Sequence, residues 1–353
     1  MNLKRARGWS GAVGILLPLG LTLIFGTFVL LMAGANPLTA FGNILGGAFE
    51  SPRKWADVVV AMVPLLLCAS GMLITFAAGL WNIGVEGQMI AGALMATWMI
   101  QLLPDGSPLS LPLAIVGGLV GGGLWGCLAG VLRAYGGVNE IFCGLGLNFM
   151  GAALTNYLIF GPWKPPDGAT MSGTDPFPAA AWMPTIGNTR ASLLSLVLAL
   201  IAIAAVYVLL RDTHLGLRLK AIGLNERAAG NMGIDTRAHM LLALGVCGAL
   251  AGLAGCVQAT AVYHRLIPGI SGGYGYLSQL VVLLSGLRAQ VVPLVVFFFA
   301  AIQVGSPRLE LRMQLDSSIG GVLQSSIVLF YLIVRGVRER LSVRRSEEAN
   351  PHA

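Results

Sequence analysis

Residues 211–237 read RDTHLGLRLKAIGLNERAAGNMGIDTR, a polar island between two strongly apolar stretches of the chain. The island holds five basic and three acidic residues. Charge and lipid-facing backbone are costly in a bilayer, so such a segment belongs in water beside the membrane. It also has internal design: the helix-favouring run 224–231 is bracketed by Gly223 and Gly233. A short charged helix held between two spans is a shape suited to docking a soluble partner.

Composition makes the bilayer the main solvent for the rest. Of 353 residues, 56% are hydrophobic and only 10% charged, against roughly 25% charged in an ordinary soluble domain. A soluble protein of this size could not cover its surface with so few charges. The 48 glycines then read as sites of close helix approach rather than as loops. The net charge of +7 is spread between apolar spans, which reads as membrane topology and not as a nucleic-acid surface. The five cysteines fall inside apolar segments without a C-x-x-C pair, and the four histidines do not cluster. No metal or redox site is expected.

A hydrocarbon core of roughly 30 Å needs about 20 helical residues. By that measure the fold is all-α, a polytopic membrane protein of about ten segments: 11–34, 56–79, 84–104, 110–132, 139–160, 191–210, 237–260, 275–287, 290–305 and 317–335. The first is too long for a signal peptide core and reads as an uncleaved helix. The eighth is too short to span alone. Residues 1–335 form one transmembrane domain, and 336–353 form a basic, disordered tail. With the N-terminus in the cytoplasm, fifteen of the 22 Lys and Arg residues fall on the cytoplasmic side. The bias puts both termini and the island inside. Segments two to five and seven to ten cover similar lengths, and an offset of five spans would invert one block relative to the other. Inverted repeats are common in alternating-access transporters.

Gly118, Gly122, Gly126 and Gly130 form a ladder at spacing four, repeated by Gly248 and Gly252, which suits close helix packing. Glu86 and Glu140 each follow an asparagine, Asn82 and Asn139. Both are read as acids at the cytoplasmic, N-terminal ends of their helices, with the asparagines as caps. Residues 260–276, TAVYHRLIPGISGGYGY, contain Pro268 and four glycines and cannot form a continuous helix. They make either an outer gate along a translocation path or an ordinary outer loop. Trp98, Trp125, Phe149 and Tyr157 could stack on a flat ring, although packing and interfacial anchoring also account for them. The chain has no phosphate loop, no H-E-x-x-H and no G-x-S-x-G, so neither ATP hydrolysis nor another enzymatic activity is expected of it.

Four stretches together, GLWNIGVEGQMIAGALMA (79–96), GGVNEIFCGLGLNFMG (136–151), GLRLKAIGLNERAAGNMGID (216–235) and GALAGLAG (248–255), resemble the permease subunits of bacterial ABC importers. The group is that of ribose, branched-chain amino acid and nucleoside permeases, and the chain is most similar to the nucleoside or simple-sugar branch. Cys143, Gly144 and Leu145 stand where that pattern leads one to expect small hydroxyl or β-branched residues. The resemblance implies a multi-pass protein of the bacterial inner membrane that binds no cofactor itself. It would work with two ATPase subunits that use ATP, a second permease subunit and an extracytoplasmic substrate-binding (lipo)protein. Asn225, Glu226, Ala228, Ala229, Gly233 and Ile234 match the loop that contacts the ATPase. Candidate residues of the translocation path are Glu86, Asn139, Glu140, Asn148, Pro268 and Gly272. An ion-coupled secondary transporter of a small polar solute is the alternative, and a membrane scaffold or sensor is a third.

Overall fold

A computed structural model describes residues 6–165, 173–187, 189–316 and 318–349, with side chains left out at 6–16, 339 and 341–349. The described chain is helical. In order, α1 is Ala6–Met32, α2 Pro37–Phe49, α3 Pro52–Ala77, α4 Val85–Gln101, α5 Ser110–Ala134, α6 Glu140–Phe160 and α7 Leu193–Asp212. Then come α8 His214–Leu224, α9 Glu226–Asn231, α10 Thr236–Val257, α11 Tyr274–Leu284, α12 Val292–Gly305, α13 Pro307–Met313 and α14 Ile319–Ala349. A π-helical stretch, Gln258–Tyr263, prolongs α10.

Every expected segment contains a helix, but fewer than ten are long enough to cross a membrane. Among the described residues seven qualify by length and composition, or eight if Leu17–Met32 and Pro37–Phe49, bent by 109°, form one broken span. The expectation of about ten spans is thereby corrected. The shortfall lies in α4 and α11, whose 17 and 11 residues rise only about 25 and 16 Å at 1.5 Å per residue. Near Ile319 the last helix starts as expected, but it does not stop at 335. It continues through 336–349, where a disordered tail was expected, because RERLSVRRSEEA is rich in good helix formers. Residues 350–353, like Lys4 and Arg5 at the other end, lie outside the described residues.

The chain divides into two packing units, 56–300 and 1–55 with 301–353. In the smaller unit Leu30, Ala40, Ile44, Leu309 and Leu323 form a buried cluster, and Phe25 meets Phe330 edge to face with centroids 5.9 Å apart. Arg308 pairs with Glu50 and holds that exposed carboxyl below the usual carboxylate range.

In the larger unit α3 and α10 are the most enclosed of the long helices, while α7 is the least. The expected glycine ladder is the seam between α5 and α10. A Cβ on Gly122 would overlap Gly248 O and lie 2.5 Å from Gly252 Cα, and one on Gly126 would lie 3.2 Å from Gly248 Cα. Two helices reach this separation only where neither carries a side chain. The order of these contacts makes α5 antiparallel to α10. Gly121 against Ala91 and Gly117 against Met95 make α5 antiparallel to α4 as well, so α4 and α10 run in the same direction.

Candidate functional site

Between α3 and α4 the chain does not turn at the end of the bundle. Gly79 lies against Gly223, at the end that carries α8. Only three residues on, the Asn82 amide donates to Cys247 Sγ at 3.1 Å. Cys247 is near the middle of the 28 helical residues Thr236–Tyr263. The α4 helix therefore starts deep in the bundle, and its far end, Ile100, packs with Phe177, Ala181 and Leu266.

The second break comes from the other side. After α10 and its π turn, residues 264–266 meet the loop between α6 and α7: Phe177 N donates to His264 O at 2.8 Å and Thr174 N to Leu266 O at 2.9 Å. Trp182 stacks on the His264 ring at 4.2 Å. Residues 268–273 then descend into the bundle, with left-handed φ at Gly269, Gly272 and Gly273. At their lower end α11 begins beside the start of α4. The 260–276 stretch is thus a surface loop in its first part and a segment that turns back into the bundle in its second. The rest of the loop between α6 and α7, 166–172 and 188, lies outside the described residues.

The two helix starts are joined by Glu86. Its Oε1 accepts from Gly273 N at 3.0 Å and its Oε2 from Gly275 N at 2.8 Å, and the Ser271 side chain adds a further hydrogen bond. The carboxylate satisfies N–H groups that α11 itself cannot. A Cβ on Gly275 would lie 2.8 Å from Glu86 Cα, so glycine is what permits the approach. Asn148 clamps the same place from α6. Its Oδ1 accepts from Gly87 N at 2.7 Å, and its Nδ2 donates to Ile83 O at 2.9 Å and to the Tyr276 hydroxyl at 3.1 Å. Asn148 is about 12 Å along α6 from its first residue, which sets the depth of the junction. Gly144, one turn earlier, lies against Gly84, where any side chain would collide, which accounts for the glycine at 144.

Glu86 is therefore not at a surface end of its helix, as expected, but level with the middle of α6 and α10. Asn82 is not a cap either: Gly84 occupies that position, and Asn82 exchanges side-chain hydrogen bonds with Gln88. Both errors come from reading α4 as a full span.

A cavity of about 280 Å³ opens beside this junction, lined by Glu86, Asn148, Asn156, Pro268, Ser271 and Tyr276 among others. Phe149 adds an aromatic wall. Of the six expected path residues, the structure brings together Glu86, Asn148 and Pro268. Gly272 belongs to the turn that leads into α11 and does not line the cavity. Asn139 and Glu140 are elsewhere: Asn139 caps α6 by accepting from Ile141 N at 2.9 Å, and Glu140 pairs with Arg133 at 2.9 Å. Thr155, Asn156, Ser271 and Tyr276 were missed. Asn148, Ala152 and Thr155 do share one face at helical spacing, a signal that was present in the sequence. Trp98 and Trp125 line a separate apolar cavity of about 400 Å³, whereas Tyr157 is exposed.

The polar island is cut into short helices by three caps. Thr213 Oγ1 accepts from Gly216 N at 3.1 Å, Asn225 Oδ1 from Ala228 N at 3.0 Å and Asp235 Oδ1 from Ala238 N at 3.0 Å. Thr213 and Asn225 each stop one helix and start the next, and Asp235 starts α10. Leu224 thus ends α8, so the expected short helix begins two residues later, at Glu226. Gly233, at φ +83°, closes α9, with Ile234 N donating to Ala229 O at 3.1 Å. Ala229 is buried and Ile234 half-buried, whereas Asn225, Glu226, Ala228 and Gly233 are exposed. Leu224 and Met232, more than four-fifths exposed at either end of α9, give this charged surface two apolar contact points. Gly223 seats against Ala77 O and Gly79, which ties the island to the end of α3.

Comparison with known proteins agrees with the four resembling stretches. The family described as the permease component of branched-chain amino acid transport systems matches residues 55–333. The glucose ABC transporter permease protein TsgB13 of Haloferax volcanii is 29% identical over 322 residues, covering 88% of this chain and 84% of the relative. The nucleoside ABC transporter permease protein NupB of Lactococcus lactis is 26% identical, covering 88% and 87%. The guanosine ABC transporter permease protein NupP of Bacillus subtilis is 25% identical, covering 94% and 95%. An all-helical chain with several apolar spans, a polar cavity at the meeting point of two short helices and this match over most of its length belongs to the permease-component family, and is a multi-pass membrane protein rather than an enzyme.

Proposed function

We propose that this chain forms the translocation path of an ATP-driven importer for nucleosides or simple sugars. The observation that carries the reading is the cavity between the starts of α4 and α11, where amide, hydroxyl and carboxylate groups stand beside the Phe149 ring. Amides and hydroxyls suit a polyhydroxylated solute, and an aromatic face suits a flat base. The names of the relatives, glucose, nucleoside and guanosine permeases, support that substrate class. Two short helices that start at one depth and leave in opposite directions also support an inverted repeat, with the substrate site where the halves meet.

In this reading ATP is used by two separate ATPase subunits that press on α9, and Asn225 to Ile234 are the contact. A second permease subunit completes the path, and an extracytoplasmic binding (lipo)protein delivers the solute. The protein lies in the bacterial inner membrane with both termini and the polar island in the cytoplasm, as the Lys and Arg asymmetry supports. The permease holds no cofactor and makes or breaks no covalent bond. The test is uptake of labelled guanosine, glucose and leucine into proteoliposomes holding the full complex. ATP-dependent uptake of guanosine or glucose is expected. Uptake of leucine alone would overturn the substrate class, and uptake driven by a proton gradient without ATP would overturn the mechanism.

A further inference from the structure

A second polar-rimmed cavity in the 56–300 unit, about 720 Å³, shares no lining residue with the one beside Glu86. It lies at the end of the bundle that carries α8, between the last turns of α3 and α7, the α8 helix and the turn after α11. Three cations from separate elements line it: Arg211 of α7, Lys220 of α8 and Arg288 of the turn. No Asp or Glu is among the lining residues. The nearest carboxylate paired with them is that of exposed Asp212, 3.6 Å from Arg211 Nε.

The geometry is built rather than incidental. The Tyr207 hydroxyl accepts from Arg211 and, at 2.9 Å, from Gln290 Nε2, which ties α7 to the turn. Leu287 takes a left-handed φ of +62°, an uncommon conformation for leucine that sets the turn carrying Arg288. Lys220 donates to Leu210 O, and an ammonium keeps two further protons to donate. Below the cations the walls are apolar, formed by Leu73, Phe76 and Leu210. Beyond the rim α7 offers an exposed apolar face, with Val197, Leu200, Ile201 and Val208 between 41% and 59% exposed. Cations over an apolar track at the end of a span match the two halves of an anionic lipid, whose phosphate sits at the interface and whose chains run along the helix. We propose that this cavity binds an anionic phospholipid, with the phosphodiester held by Arg211, Lys220 and Arg288 and the acyl chains laid along α7.

The site does not depend on the transported solute, so it can be tested apart from uptake. The purified full chain in detergent is titrated with phosphatidylglycerol, with phosphatidylcholine of identical chains and with inorganic phosphate, and bound species are counted by native mass spectrometry. One cation near a membrane surface is worth about 1 kcal/mol, or roughly fivefold. Phosphatidylglycerol should therefore be retained at least about tenfold more tightly than phosphatidylcholine. Arg288→Gln, on an exposed turn, should lose roughly fivefold, and Arg288→Lys should keep most of the preference. Leu73→Trp, which fills the apolar wall without touching a charge, should also displace the lipid. Equal retention of the two lipids, or an unchanged preference in Arg288→Gln, would overturn the proposal. So would displacement of the lipid by millimolar inorganic phosphate, which would make the site a free-anion site.

Discussion

Glu86 holds half-buried Gly273 N with one oxygen and buried Gly275 N with the other, so neither oxygen can be lost without leaving an N–H of the junction unpaired. Glu86→Gln keeps the shape but turns an NH₂ group toward one donor. The cost should be about 1–3 kcal/mol, read as a lower midpoint in thermal unfolding of the detergent-solubilised protein together with reduced uptake. An unchanged midpoint would mean that the latch contributes little. At the other end of the molecule, Asn225→Ala removes the α9 cap at a cost of ~1 kcal/mol. Because α9 is exposed, global stability should hardly move while ATP-driven uptake falls, and Asn225→Ser should restore most of it. Glu226→Lys should likewise fold and expose its charge to the ATPase. Normal ATP-driven uptake by that variant would remove α9 from the proposed coupling.

At the scale of elements, the seam between α5 and α10 distinguishes glycines that differ by one position. A Cβ on Gly122 meets backbone of α10, whereas one on Gly123 has its nearest neighbour at 3.6 Å, an ordinary contact. Gly122→Ala should therefore cost about 1–3 kcal/mol through overpacking, with lower yield of folded protein, and Gly123→Ala should be close to neutral. Equal behaviour of the two in a thermal-shift series would contradict the close approach. The glycine ladder was legible in the sequence as a packing face. Its partner helix and register were not, since spacing four describes one surface and says nothing of what lies on it.

For the whole molecule, the proposed orientation has a direct readout. The native cysteines are buried apart from half-buried Cys127, so single cysteines introduced at exposed positions report sidedness. With a membrane-impermeant maleimide, M232C just after α9 should react only after the cytoplasm is opened, and W182C in the loop between α6 and α7 should react in intact cells. The reverse pattern would invert the molecule and make the Lys and Arg bias uninformative here.

The sequence by itself determined what depends on composition and local chemistry. Low charge and long apolar runs demanded a helical membrane protein. Thr213, Asn225 and Asp235 put the helix breaks of the island where capping chemistry allows them. Four stretches also placed the chain in its family. Only the tertiary structure decided how deep each apolar segment begins. A run of hydrophobic residues reads the same whether its helix starts at the water interface or at mid-depth, because burial in protein and burial in lipid select the same side chains. That ambiguity turned the short helix α4 into an expected span and put Glu86 at a surface. The meeting of α4 with α11 rests on hydrogen bonds between residues 187 and 189 positions apart, and no local pattern records a partner at that distance.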